Sequence, residues 1–294
     1  MGHNHSHSEI DSRIRFGLVL NSVFTVVEFV IGIMSGSLAL IADATHNLTD
    51  TFTLSVSYLT NKIAKRDSNH QKTYGYGRAT VLGALLNSVV MIVVAIFIVM
   101  EAIKRFKNPV EVEGLLVTLV ASVGILVNGS IAYVLYKQKH DINMKSAYID
   151  MAFDALSSVA AVLTGIIIAV TGINGIDSVT ALIIAAFLIY NTFKILNEVI
   201  HILLEGTPRG MEVESITNEI LKIENITEVD DIHVWTIRSG FNTLSCHITI
   251  DDTKLLDSRE IVMQVKNVLK EKFDISHTTI EVELEKCEPD HSTH

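Results

Sequence analysis

The sequence predicts a membrane protein of six transmembrane helices followed by a small cytosolic α+β domain. Six apolar stretches, at about 14–35, 38–62, 80–103, 112–136, 146–171 and 176–203, each reach the ~20 residues a helix needs to cross a hydrocarbon core of about 30 Å. Charge divides the chain in the same place: residues 1–208 hold 14 Lys/Arg against 15 Asp/Glu, whereas residues 209–294 hold 9 against 18. Beyond Met211 the long apolar runs give way to short helical and alternating patterns. A 294-residue chain that is 49% hydrophobic and 19% charged is too apolar for a purely soluble enzyme or a disordered chain. Its two cysteines, Cys246 and Cys287, are too few for a secreted disulfide scaffold. The net charge of −10 makes nucleic acid an unsuitable partner and leaves membrane lipid as the expected surroundings.

Residues 1–13 form an arm in which His3, His5 and His7 alternate with small polar residues, a composition that suits either a metal-collecting segment or an expression remnant. The first span is too long for a signal peptide and lacks a small-residue cleavage site before the next apolar run, so it reads as a retained helix. Gly36, Gly172 and Gly175 mark short turns, and Pro109 and Pro208 fall between elements, so no span of the 14–208 membrane domain is broken by proline. Orientation follows from the short loops. Arg13 and Arg15 precede the first span, Lys62, Lys65, Arg66, Lys72 and Arg78 follow the second, and Lys137, Lys139 and Lys145 follow the fourth. The opposite side offers Lys104, Arg105 and Lys107, which places both termini in the cytoplasm.

Residues 209–294 read as one compact α/β unit. Ile216, Ile220 and Ile223 recur at helical spacing, and strands at about 229–238 and 241–250 flank a turn at Ser239-Gly240. A helix at about 257–273 presents Ile261, Val265, Val268 and Leu269, and a last strand at about 277–284 alternates through Thr278, Ile280, Val282 and Leu284. The order αββαβ gives a small sheet covered by two helices.

Ionisable groups inside a span are costly and are functional hypotheses by default. The second span carries Asp43, His46 and Asp50, three and four residues apart and therefore on one helix face. The fifth carries Asp150 and Asp154, again one turn apart. His46, Asp50, Asp150 and Asp154 make one imidazole and three carboxylates on two helices, a ligand set that suits a divalent ion such as zinc. Asp43 either supports His46 from behind or is structural. Glu28 and Asp177 each stand alone in their spans.

The run from Leu38 through Asp43 and His46 to Asp50, the loop from His70 to Tyr74-Gly-Tyr-Gly-Arg78, Glu205-Gly-Thr-Pro208, His233-Val-Trp235 and His277-Thr-Thr-Ile280 together resemble the cation diffusion facilitator family. The similarity is strongest to its bacterial zinc/cadmium/cobalt exporters. It spans nearly the whole chain, with the motifs in family order. It implies a six-helix transporter in the bacterial cytoplasmic membrane, with a ferredoxin-like, metallochaperone-like cytosolic domain, working as a homodimer that exchanges a cytosolic divalent cation for protons. It transfers His46, Asp50 and Asp154 directly and Asp150 by position, because zinc members have His-x-x-x-Asp in both spans where the fifth span here has Asp150-x-x-x-Asp154. The extra oxygen ligand widens tolerance from zinc and cadmium toward cobalt, iron or manganese, while His46 argues against a purely manganese site. Thr80 replaces a glutamate common in the family.

Beyond the spans, Asp67 and His70 offer either a weak cytosolic-side site or a plain polar loop. In the tail the resemblance matches His247, Glu281 and Glu283 to positions where family members bind regulatory metal. Asp230 stands where the family has a first histidine, His233 beside Trp235 is either a sheet residue or a ligand, and Cys287 is a soft donor suited to a reducing cytosol.

No Gly-x-x-x-x-Gly-Lys-Ser/Thr loop is present to bind nucleotide, so the expected energy source is a proton gradient, and no organic cofactor is expected. The same four intramembrane groups can hold either metal or protons. Two alternatives stand beside this transporter reading, which is not an enzyme. A membrane-anchored metal-dependent hydrolase needs an open zinc site and a general base, and no His-Glu-x-x-His helix is present. A passive divalent-cation channel is disfavoured because four converging ligands hold a divalent ion too tightly for fast conduction.

Overall fold

A computed structural model describes residues 4–136, 142–238, 240–251 and 257–284, with side chains described from Leu20 onward except at 50, 54, 134–135, 142–147 and 149–150. The element order is α1 (Asn4–Ser35), α2 (Leu38–Ala64), α3 (Ala79–Lys107), α4 (Gly114–Tyr136), α5 (Ile142–Thr171), α6 (Gly175–Leu203), α7 (Val213–Ile220), β1 (Ile226–Arg238), β2 (Phe241–Ile250), α8 (Ser258–Phe273) and β3 (Ile275–Glu283). Each of the six expected spans is a helix. By length and composition, four segments among the described residues are apolar enough to cross a membrane: Ala79–Lys107, Gly114–Tyr133, Met151–Thr171 and Gly175–Leu203. The first contributes a shorter apolar stretch, Leu20–Ser35. Helix α2 falls outside this group for a chemical reason: it carries Asp43, His46, Asn47 and Asp50 along with several hydroxyl residues.

The chain falls into two compact units, one formed by the residues up to Val56 with Leu86–Ile195, the other by Ser57–Leu85 with the residues from Leu196 onward. Two apolar clusters build the first unit. Leu38 and Ala42 of α2 pack with Ile98 and Ala102 of α3 and with Ala181, Ile184, Ala185 and Leu188 of α6. Leu40 of α2 instead joins Phe24 of α1, Val117, Val120 and Ala121 of α4 and Ala161 of α5. Helix α2 is thus shared by both clusters. Large apolar side chains such as Leu115, Leu126, Val170 and Ile183 remain exposed on the other helices, as expected where lipid takes the place of water.

Close approach of α4 to α5 rests on two glycines. A Cβ on Gly165 would lie 2.7 Å from the Gly114 carbonyl oxygen, and one on Gly114 would lie 2.5 Å from that of Gly165. Small residues at such crossings let helix backbones touch, which is the main source of association within a bilayer. At the turn between α1 and α2, Gly36 has φ +72°, and a Cβ there would meet the Glu111 carbonyl oxygen at 2.6 Å.

The second unit contains the predicted αββαβ order. Its sheet runs β1-β2-β3, with β1 and β2 antiparallel and β2 and β3 parallel. Ile216 and Ile220 of α7, Leu244, Ile248 and Ile250 of β2, and Ile261, Val265 and Leu269 of α8 close one core beneath that sheet. Ile223 lies past the end of α7 yet still joins the core, so its spacing extended the predicted helix by one turn too many. Cys246 is buried there, and burial pushes its thiol up to about 12, which keeps it protonated and unreactive at neutral pH. The motif residues outside the membrane site also find partners in this unit. Arg78 donates to Glu205 at 2.8 Å, Tyr74 stacks edge-on with His277 at 5.5 Å, and a Cβ on Gly77 would lie 2.7 Å from the Arg238 side chain.

Replacing Gly165 with Leu forces α5 away from α4, and overpacking of this kind costs about 1–3 kcal/mol. The melting temperature of the detergent-solubilised protein is expected to drop by several degrees; an unchanged melting curve would show that the crossing has slack.

Candidate metal site

On α2, Asp43 and Asn47 are buried and His46 is half-buried; Asp154 on α5 is buried at 2% exposure. His46 Nε2 lies 3.4 Å from Asp154 Oδ1, so the two helices face each other through the residues the sequence singles out. Asp50 and Asp150 sit one turn along from these two on the same helices, and their side chains lie outside the described residues. Asp43 does not face solvent either. Its Oδ1 accepts a hydrogen bond from the Ser157 hydroxyl of α5, and the Ser157 and Ser158 hydroxyls also reach the Asp154 carbonyl at 2.9 and 3.0 Å.

The second oxygens of Asp43 and Asp154 have no hydrogen-bond partner among the described residues. Neither do both oxygens of Glu28, nor the amide groups of Asn47 and Asn128. Unpaired polar groups in an apolar interior cost on the order of 1–3 kcal/mol each, so several gathered together mark a place prepared for something besides protein. Glu28 is fully buried on α1, with Asp43, Asp154 and Asn47 as its electrostatic neighbours. Sequence reading leaves Glu28 alone in its span. Only the approach of α1 to α2 and α5 reveals its company, which no periodicity within α1 encodes. Asn128 is likewise fully buried on α4, and a single asparagine in an apolar run carries no spacing signal.

In the tail, β1, β2 and β3 bring together a second group. His247 Nδ1 lies 2.9 Å from Glu283 Oε1, and its Nε2 lies 3.6 Å from both Glu281 Oε2 and Asp231 Oδ2. His233 Nε2 lies 2.8 Å from Asp231 Oδ1. The carboxylate that joins the histidines is therefore Asp231, where the sequence points to Asp230. The reason is a register shift between Asp230 and His233, at which Asp231 takes φ +47° and turns its side chain across the strand. Asp230 stays opposite His247 in register, with a buried oxygen lacking a partner among the described residues. Asp67 and His70 lie exposed in the loop after α2, and Cys287 lies outside the described residues. Among the described residues no group of three or more His, Cys, Asp or Glu is already set around a vacant ion position. In the membrane, half of the expected ligands fall outside that description; in the tail, the ligand atoms already contact one another.

Residues 14–204 match the cation efflux transmembrane domain, and residues 208–285 match the cytoplasmic domain of cation efflux proteins. Among curated relatives, the cadmium, cobalt and zinc/H(+)-K(+) antiporter of Bacillus subtilis is 33% identical over 289 residues, covering 97% of this chain and 93% of the relative. The metal cation efflux system protein CzcD of Cupriavidus metallidurans is 35% identical, covering 98% and 91%. The zinc transporter ZitB of Pectobacterium atrosepticum is 33% identical, covering 99% and 92%.

Substituting Asp231 with Ala removes contacts to both His233 and His247 and is expected to weaken zinc binding to the tail by about tenfold, the scale of a charged hydrogen bond; Asp230→Ala should have a smaller effect. Zinc titration of the full-length protein carrying His46→Ala isolates the tail, and a stronger effect of Asp230→Ala would return that residue to the site.

Proposed function

This chain belongs to the cation efflux family, and on that premise we propose that it exports zinc from the cytosol in exchange for protons through His46, Asp50, Asp150 and Asp154. It is an integral membrane transporter and not an enzyme, which removes the hydrolase alternative. The observation that carries the site is the approach of His46 Nε2 to Asp154 Oδ1 at 3.4 Å, between two helices that each carry one more carboxylate a turn away. An imidazole with three carboxylates suits a tetrahedral ion of zinc's character, and the oxygen-rich balance leaves cadmium, cobalt and harder ions as competitors.

The exchange follows from charge. Three carboxylates and an imidazole in a low-dielectric interior are neutralised either by a divalent cation or by protons, and one kind of occupant displaces the other. Loading from the cytosol, a rocking of helices and displacement by external protons complete a cycle without nucleotide. The name of the Bacillus subtilis relative pairs H+ with K+; here protons are the counter-substrate we favour, because carboxylates and imidazole are proton-holding groups. The cytoplasmic-domain match at 208–285 supports cytosolic termini, a division near residue 208, and a homodimer held through the acidic tail. Asp231, His247, Glu281 and Glu283 are the tail groups we assign to a regulatory metal, with His233 supporting Asp231.

In proteoliposomes with an imposed pH gradient, Asp50→Ala and Asp154→Ala are expected to abolish zinc uptake while leaving folded protein in the membrane, since each leaves an incomplete coordination shell. Normal uptake by either variant would sink the assignment. Asp150→His exchanges a hard donor for imidazole and should sharpen preference for zinc over manganese and cobalt in the same assay; an unchanged metal profile would remove Asp150 from selectivity.

A further inference from the structure

Asp177, at the start of α6, is 1% exposed and belongs to no ligand set, yet both of its oxygens are engaged. Oδ1 accepts from the Ser37 hydroxyl at 2.6 Å and from the Ala39 amide at 3.3 Å, and Oδ2 accepts from the Leu38 amide at 2.6 Å. These donors are Ser37, immediately before α2, and the first two residues of α2. A helix start leaves four amides without intrahelical partners and carries a partial positive charge, and an acidic side chain there answers both. Helix α2 has no acidic residue in its own first turn. Ser37 supplies one local cap, accepting from the Leu40 amide at 3.2 Å, and the carboxylate comes from a helix far along the chain.

The surroundings make this a clamp and not only a cap. Arg105, at the end of α3, donates from Nη1 to the Gly36 carbonyl at 2.5 Å, and the same nitrogen lies 3.8 Å from Asp177 Oδ2. Directly below, Leu38 and Ala42 of α2 pack against Ala181, Ile184 and Ala185 of α6. The first two turns of α2 are therefore fixed to α6 and α3. Asp154 stands on α5, which packs through the other cluster with α1, α4 and Leu40 of α2 and meets α6 where Phe153 lies 5.2 Å from Phe187 and Thr164 lies 2.6 Å from Thr180.

We propose that Asp177 is a positioning residue for transport: by clamping the start of α2 to α6 it sets where His46 stands relative to Asp154. His46 lies eight residues beyond Leu38, about 12 Å along a rigid helix at 1.5 Å per residue, so a tilt or rotation released at the clamp arrives at the imidazole as a displacement. Ligand geometry tolerates little such movement. The inference rests on His46 being a transport ligand, as proposed above.

Asp177→Ala, Asp177→Asn, Asp177→Glu and Ser37→Ala are compared with His46→Ala by cobalt(II) absorption of the purified full-length protein and by zinc uptake in proteoliposomes. Loss of the clamp in Asp177→Ala and Asp177→Asn is expected to raise the zinc concentration for half-maximal uptake by on the order of tenfold, the scale of a lost helix cap, and to weaken the tetrahedral cobalt band. Asp177→Glu, which keeps the carboxylate, should recover part of both. Ser37→Ala removes one contact to Asp177 and should shift half-saturation in the same direction by a smaller factor, which provides the test if the Asp177 variants do not fold. Folded Asp177→Ala protein with wild-type half-saturation and cobalt band would overturn the proposal, as would an unshifted Ser37→Ala. His46→Ala is expected to lose uptake and to reduce the band to what the tail contributes; if it keeps wild-type band and uptake, the transport-site reading fails and not the clamp alone.

Discussion

The membrane unit is organised around one constraint: carboxylates and an imidazole are placed where bulk water cannot solvate them. An isolated charge in such a medium is prohibitively costly, and even a neutral polar group must find a partner. Each buried ionisable residue here answers that demand differently. Asp177 spends both oxygens on the start of α2 and stands near Arg105. Asp43 takes the Ser157 hydroxyl with one oxygen and has no hydrogen-bond partner among the described residues for the other. Asp154 meets His46 at one oxygen and nothing described at the other. A graded series thus runs from a fully satisfied, structural carboxylate to ones with capacity in reserve, and the reserve lies where a cation would be bound.

The same constraint accounts for the unusual composition of α2. A helix surrounded by lipid has no reason to carry Asp43, His46, Asn47 and Asp50, whereas a helix shared between two packed clusters can bury a polar face between them. Its Leu38 and Ala42 serve one cluster and its Leu40 the other. The ligand-bearing face lies between these two allegiances. A change in how the clusters hold α2 is then also a change in ligand geometry, which is what an exchanger requires if occupancy and conformation are to be coupled.

What the sequence made legible follows the range of the signals involved. Helix existence was readable from apolar length, the αββαβ tail from the switch between periods, and the pairing of His46 with Asp154 from matching four-residue spacings on separate helices. Glu28, Asn128 and the role of Asp177 were not readable, because each depends on a neighbour from another helix and no spacing within its own element announces it. Asp231 was missed for a different reason. Asp230 is singled out by its position in the motif, and a bulge with a left-handed residue between Asp230 and His233 brings the adjacent Asp231 to the histidines.

The two candidate sites differ in a way that bears on the work each can do. In the membrane, oxygens of Glu28, Asp43 and Asp154 lack hydrogen-bond partners among the described residues, so an incoming cation has fewer existing contacts to break there. In the tail, His247 already contacts Glu281, Glu283 and Asp231, and Asp231 contacts His233. A metal there must replace existing ion pairs in a partly solvated setting, where such pairs are individually worth little. Its net affinity is therefore a difference between two liganded states of the same side chains. A site of that kind responds over a range of metal concentration without trapping the ion. That behaviour suits sensing, while a largely buried site between helices, with polar atoms unpartnered among the described residues, suits capture and release.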